Sequence, residues 1–143
     1  MIDLVIARLK ATVPAFASRV EGAAELSALM RQNALPQVTP AAHVVPLGIS
    51  GGRADAAAGA FRQEFDRVIG VLITLRTNSR TGDGQLVQLD TLIEAVTLTI
   101  AGWGPDEAIG VFRLARGQLV TMAAGTLVYQ LDFAISDQLR ILS

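Results

Sequence analysis

Apolar residues recur at helical spacing in three segments of the chain. In residues 2–12 the apolar positions lie three or four apart and Pro14 follows, so the pattern predicts a helix that ends before the proline. A second, shorter helix is predicted for residues 23–32. The longest helix is predicted for residues 85–101, ending where Gly102 begins a segment of glycine and proline. One stripe of this last helix is apolar and consists of Leu86, Leu89, Ile93, Val96 and Ile100.

Alternating apolar and polar residues predict strands between these helices. The clearest strand covers residues 61–77, where the odd positions Phe65, Ile69, Val71, Ile73 and Leu75 are apolar and the even positions begin charged and later become apolar. A strand this long exceeds the usual five or six residues, so part of it is expected to project beyond its own sheet. Shorter strands are predicted for residues 18–21, 42–47, 111–116, 118–122 and 127–135, the last three joined as hairpins by short connections that contain glycine.

Residues 48–59 show no apolar period and consist mainly of glycine and alanine, so they are predicted to form a mobile loop. Residues 78–84 have the composition of a turn. Taken in order, the elements predict an α+β fold: a single mainly antiparallel, mixed β-sheet with helices packed on one face. Because the chain has no internal repeat and no linker, residues 1–143 are expected to form a single domain.

The composition is apolar and poor in reactive side chains. Hydrophobic residues make up 51% of the chain and charged residues 17%, which excludes intrinsic disorder. The net charge of −1 argues against a free-standing binder of duplex DNA, which normally carries a basic patch. The absence of cysteine excludes disulfides, thiol catalysis and cysteine-ligated metals, and a single histidine leaves little for a histidine-rich metal site.

The most hydrophobic stretch, residues 86–103, contains Asp90 and Glu94, which are costly in hydrocarbon, so no membrane-spanning helix is predicted. The N-terminus has Asp3 and two basic residues within its apolar pattern, unlike a secretory signal peptide. The protein is therefore expected to remain in the cytoplasm. Its surplus of apolar residues indicates surface that a partner covers.

Residues 48–52 match the G-x-S-x-G pattern of a hydrolase nucleophile elbow, with Ser50 in the centre. That elbow needs an acid and then a histidine later in the chain, whereas His43 precedes the serine. The segment also lacks the lysine of a phosphate-binding loop. We interpret the match as accidental and His43 as a strand residue, hydrogen-bonded or exposed. No catalytic residue, cofactor-binding residue or metal ligand is predicted.

Three residues are candidates for contacts with a partner. Asp90 and Glu94 lie four apart on the longest helix, so they share a face and repel each other. Three interpretations are open: a solvated face, ion pairs with arginines of a neighbouring subunit, or a site that binds Mg²⁺ or acts as an acid–base pair. For the last of these, no third ligand or histidine accompanies the two residues. Trp103 is either a lid over the end of the helix or an interface anchor.

The order of these segments resembles that of a phage tail terminator protein. The resemblance begins with the IARLKATVPAF helix, the RVEGAAELSAL strand and helix, and the PAAHVVPLG segment. It continues through the FRQEFDRVIGVLITLRT strand and the helix closed by Gly-Trp, and it ends with the RLARGQLV hairpin and the YQLDF strand. It covers essentially the whole chain and includes no catalytic or metal signature.

The resemblance implies a structural protein of a virus particle and not an enzyme. Terminators of long-tailed phages form a homo-hexameric ring that caps the head-proximal end of the tail tube, stops the addition of tube subunits and offers a surface for joining the head. The implied partners are further copies of this chain, the tail tube protein and the head–tail connector or head-completion protein. Genomic DNA passes through the lumen without sequence-specific binding, and no cofactor or membrane is involved. The implied location is the tail or neck of a virion assembled in the cytoplasm of a bacterial host, and the same architecture serves in gene transfer agents.

Within such a ring, the start of the long strand and the last strands are the expected contacts between subunits, because long strands leave unpaired edge groups. The loop predicted at residues 48–59 is expected to become ordered only against the tube or the connector. Two alternatives remain at this point. One is another neck, head-completion or tail-completion protein of the same particle, and the other is a small enzyme whose polar site the sequence does not reveal.

Overall fold

The computed structural model describes residues 1–56, 59–76, 83–105, 110–123 and 125–142. The helices are α1 (Ile2–Thr12), α2 (Ala23–Arg31) and α3 (Asp83–Ile100), and a short 3-10 turn at Pro14–Phe16 follows α1. The strands are β1 (Val20–Glu21), β2 (Ala41–Asp55), β3 (Ala60–Arg76), β4 (Arg113–Ala123) and β5 (Thr126–Leu142). The three helix predictions are confirmed to within two residues at each end.

The strands form one five-stranded sheet in the order β1-β2-β3-β5-β4. β1 pairs with β2 in parallel, and the other three pairs are antiparallel. The central strand, β3, is paired with β5 along its whole length, from Ala60 opposite Leu142 to Arg76 opposite Thr126. The predicted α+β fold with a mixed, mainly antiparallel sheet is confirmed.

One face of the sheet packs against α1 and α3, and we call it the core face. Successive side chains of a strand point to opposite faces, so the odd positions of β3 all point to the core face, and those from Ile69 to Leu75 are buried there. Leu9 of α1 and Val96 of α3 close the same core from the other side. The alternation that identified β3 in the sequence therefore also identifies the side on which α1 and α3 lie.

The buried stripe of α3 differs from the predicted one at its start. Val96 and Ile100 are fully buried as predicted, but Leu86 is 49% exposed, so its placement in the core is wrong. Leu92 is buried instead, because positions 89, 92, 96 and 100 follow one another at steps of three or four residues. Because the buried stripe is shifted around the helix axis from the predicted one, a second, partly apolar face of α3 stays exposed.

The prediction of a mobile loop at residues 48–59 is wrong for residues 48–55, which continue β2. They pair with β3 from Gly48 opposite Val68 to Asp55 opposite Arg62, with register shifts after Pro46 and after Gly51. Without this pairing the first half of β3 would have no hydrogen-bond partner on one edge, and the gain from satisfying those groups outweighs the low strand propensity of glycine. Residues 57 and 58 of the predicted loop, residue 77 at the end of the predicted strand and residues 78–82 of the predicted turn lie outside the described residues.

The two strands predicted at residues 111–116 and 118–122 are one strand, β4, so the hairpin predicted between them is wrong. Gly117 lies in the middle of β4 opposite Leu131, and a Cβ atom there would come within 2.9 Å of the Tyr129 hydroxyl. Glycine at this position makes room for the tyrosine and does not make a turn. The last predicted strand is confirmed, but β5 continues past its predicted end at residue 135 to Leu142.

Candidate functional site

β2, β3 and β5 continue beyond the rest of the sheet as a three-stranded extension, which we call the arm (residues 49–55, 60–67 and 135–142). The pairing of β4 with β5 ends at Ala134, and the pairing of β1 with β2 ends at His43. Both outer edges of the arm are therefore free of further strands in the described part of the chain. The prediction that β3 projects beyond its sheet is corrected to this extent: β3 projects together with two partner strands.

The core face of the arm is mainly apolar, and the start of α1 borders its base, where Met1 and Ile2 line a cavity of about 330 Å³ together with Ile49 and Arg67. Odd-numbered residues of β3 and β5 point to this face in the arm as they do in the rest of the sheet, because the two strands stay in register. Ile141 is 52% exposed, and Ile49, which pairs with Arg67, is 68% exposed. The apolar surface of the arm consists of Ile49, Phe61, Phe65, Leu139 and Ile141.

The opposite face of the arm is polar, and a hydrogen-bonded cluster stabilises its base. The Asp66 carboxylate accepts a hydrogen bond of 2.7 Å from the Ser136 hydroxyl and forms an ion pair of 2.7 Å with Arg113. The bond from Ser136, and then the one from Arg113, lower the pKa of Asp66 below its ordinary value of 3.8. The cluster joins β3, β4 and β5, and sequence reasoning missed it because only the register of the strands brings the three residues together.

Ser50, the centre of the G-x-S-x-G match, is an exposed residue of extended strand opposite Asp66. A nucleophile elbow places its serine on a sharp turn from a strand into a helix, and β2 makes no such turn at this position. This location supports the interpretation that the match is accidental.

His43 lies on β2 and is buried, with 3% of its surface exposed. Its Nδ1 atom has no hydrogen-bond partner among the described residues, so the expectation of a hydrogen-bonded or exposed histidine is wrong for this nitrogen. The side chain lines a cavity of about 420 Å³ between α2 and the sheet, together with Glu21 and Glu25. Burial lowers the pKa of His43 below its ordinary value of 6.5, and the two carboxylates oppose this shift more weakly.

The free energy of unfolding is expected to fall as the pH decreases below about 6.5, because unfolded His43 binds a proton there while the buried side chain resists protonation. A His43→Leu variant has no such group and should lack this loss between pH 7.5 and the onset of carboxylate protonation. Urea titrations of both proteins across that range measure the difference. Equal pH profiles of the two proteins would show that another group is responsible.

Asp90 and Glu94 are both exposed on α3. Neither forms an ion pair within the described residues. No group of three or more histidine, aspartate or glutamate side chains in the same residues is arranged to hold a metal ion. None of the described helices is long and apolar enough to cross a membrane. An exposed acidic pair without an ion pair in these residues is compatible with a solvated face and with pairing to a neighbouring subunit.

Trp103 is half-buried at the end of α3 and packs inside the protomer. Its ring stacks on Phe112 with the centroids 6.0 Å apart, and the guanidinium of Arg8 lies 4.8 Å from its centroid. The backbone oxygen of Trp103 accepts a hydrogen bond of 2.8 Å from the N–H of Phe112. These contacts favour the lid over the interface anchor. Gly102 has a φ of +80°, which lets the chain turn back at the helix end.

Exposed apolar side chains concentrate on three elements besides the loops. They lie on the arm, on the outward side of α3 and along the edge strand β4. Surfaces of this kind mark contacts with partners when they are contiguous. Outside the arm they comprise Leu86, Val87 and Leu98 on α3 and Leu114, Leu119, Val120 and Met122 on β4, and single exposed apolar residues also lie on α1 (Leu4), on α2 (Met30) and on β2 before the arm (Leu47).

The comparison with known families agrees with a chain that exposes apolar surfaces and carries few reactive side chains. The family model described as phage tail terminator protein matches residues 2–142, nearly the whole length. No curated protein matches the chain.

Proposed function

Because the chain belongs to the phage tail terminator family, we propose that it forms a homo-hexameric ring that caps the head-proximal end of the tail tube. The family makes the chain a structural component of a phage tail. In the proposed ring it stops the addition of tube subunits and provides the surface to which the head is joined. The observation that carries the proposal is the extent of the match, which includes every helix and strand described above.

The exposed apolar surfaces support the assembly part of the proposal. Monomeric proteins rarely leave large contiguous apolar patches in contact with water. This chain exposes apolar side chains on the arm, on α3 and on the edge strand β4. The free edges of the arm and of β4 also offer unpaired backbone groups to a neighbouring chain. Contacts with further copies and with the tail tube protein would cover these surfaces.

The charge and chemistry of the chain support a passive channel. A net charge of −1 gives the lumen little attraction for phosphate, so genomic DNA would pass without being held. We propose that residues 1–143 act as one domain with no catalytic, cofactor-binding or metal-binding residue. The proposed partners are thus other copies of the chain, the tube protein and the head-completion protein, in a particle assembled in the host cytoplasm.

Negative-stain microscopy of the purified protein, alone and mixed with its own tail-tube subunit, tests the proposal. We expect six-fold rings, or tubes that carry one cap each and elongate no further when more tube subunits are added. Tubes with no added protein are the control and should keep growing. A protein that ignores tubes and instead binds the portal side would be a head-completion protein, and a protein that stays monomeric in every mixture would contradict the ring.

A further inference from the structure

α3 has an exposed face that its own protomer does not cover. Val87 is 70% exposed and Leu98 is 73% exposed. They lie 11 positions apart, three turns of the helix, so both side chains project from the same side at a spacing of about 16 Å. Asp90 and Glu94 lie between them on this side. The face is therefore apolar at both ends and acidic in the middle.

The apolar surface of the arm has dimensions that suit this helix face. Phe61 and Arg67 mark its two ends on β3 and lie six positions apart, a distance of about 20 Å in a strand. Its outer strands lie about 10 Å apart, close to the width of one helix. A single helix lying along the arm would thus cover the surface from end to end.

The charges on the two surfaces are complementary. Arg67 is exposed, and the residues opposite it on the neighbouring strands are Ile49 and Ile135. Among the described residues it forms no ion pair, and its guanidinium lies 5.4 Å from the centre of the Phe65 ring. Asp137 is on the same face and its Oδ1 accepts a hydrogen bond of 2.7 Å from the N–H of Gln138. Beside its apolar surface the arm therefore presents one cation, Arg67, and one carboxylate, Asp137, and α3 presents two carboxylates that have no cationic partner among the described residues.

One protomer cannot bring these two surfaces together by itself. The buried stripe of α3, which includes Val96 and Ile100, packs on the core face of its own sheet. Val87 and Leu98 lie on the other side of the helix and so point away from that sheet. A contact between the two surfaces must then join different copies of the chain.

We propose that the apolar surface of the arm in one copy receives the exposed face of α3 from the next copy, with Arg67 paired to Glu94 and Asp90. This proposal rests on the proposed ring and identifies the surfaces that build it. The surface of the arm and the exposed face of α3 differ from each other, so each copy contacts one neighbour through its arm and the other neighbour through its α3. Such head-to-tail contacts close into a ring when the rotation between copies allows it. The pairing also relieves the repulsion between the two acids on α3.

Cysteine cross-linking tests the proposal, because the chain contains no natural cysteine. A variant with Arg67→Cys and Glu94→Cys is treated with a short bis-maleimide, alone and with tail-tube subunits present. We expect a ladder of covalent species that ends at six copies. The matched control keeps Glu94→Cys but replaces Arg67→Cys with Leu119→Cys, an exposed position on β4, and should give no ladder. Each single variant should also remain uncross-linked, since a head-to-tail contact places its equal residues far apart.

The other outcomes overturn the proposal in distinguishable ways. Dimers formed by a single variant would show that the arm or the helix meets its own equivalent. A ladder in the Leu119→Cys control would assign the contact to β4. If light scattering shows multimers but the test variant yields no ladder, the ring is built from other surfaces. If the unmodified protein stays monomeric both alone and with tubes, the ring itself fails, and with it the proposed function.

Discussion

Replacing Phe133 by alanine is expected to lower the free energy of unfolding by about 3–5 kcal/mol. Phe133 is fully buried on the core face of β5, between Ile69 of β3 and Leu114 of β4. Its removal takes apolar surface out of the core and leaves a cavity that the surrounding sheet fills only in part. Since domains are typically stable by only 5–15 kcal/mol, this one change removes a large share of the total.

Urea denaturation measures the effect, and Phe65→Ala provides a matched control. Phe65 is also a β-strand phenylalanine on the core face, but it lies on the arm and is half-buried. It has fewer neighbours to lose, so its truncation should cost clearly less stability. Equal losses for the two variants would show that the arm is packed as tightly as the core, and the arm would then have no uncovered apolar surface.

The elements predicted correctly are those whose pattern of apolar residues repeats over several turns of a helix or several residue pairs of a strand. The alternation in β3 directs Ile69, Val71 and Ile73 to one face, and these residues are the centre of the core. The same reasoning identified α3 and the core-facing half of β5. In each case burial of one face is the dominant free-energy term, so the local pattern and the tertiary structure agree.

The wrong predictions concern segments in which partners decide the structure. Residues 48–55 have no apolar pattern, and they form a strand because the neighbouring β3 needs hydrogen bonds along that edge. Gly117 suggests a turn by its type, but its role is to leave space for the Tyr129 side chain across the strand pair. Neither effect is local, so neither is visible in a window of adjacent residues.

About half of the arm could be predicted from the sequence. The length of β3 predicts a segment that projects beyond the sheet, and β3 does project, together with two partner strands. The predicted strand ends at residue 135 and so leaves out Leu139 and Ile141, because Asp137 interrupts the apolar alternation that these two residues resume. The match between the arm and α3 requires the register of three strands and the rotation of a helix, which only the structure provides.

Replacing Leu139 by aspartate is expected to weaken assembly strongly and to leave the protomer folded. Leu139 lies in the middle of the apolar surface of the arm and is 42% exposed, so the isolated protomer loses little when it is replaced. In the proposed ring it would be covered by α3 of the next copy. Losing the burial of a leucine costs about 1.5–3 kcal/mol per contact. Each contact should therefore become weaker by about tenfold to a hundredfold.

Gln138→Asp is the matched control, because it adds the same charge one residue earlier, on the opposite face of the same strand. Sedimentation velocity at a series of concentrations compares the two variants, and circular dichroism checks that both are folded. Only Leu139→Asp should shift towards the monomer and fail to cap tubes. If Gln138→Asp disrupts assembly equally, the arm acts through its edges or its net charge and not through one face. If neither variant changes assembly, the arm lies outside the subunit contact, and β4 becomes the surface from which the ring must be built.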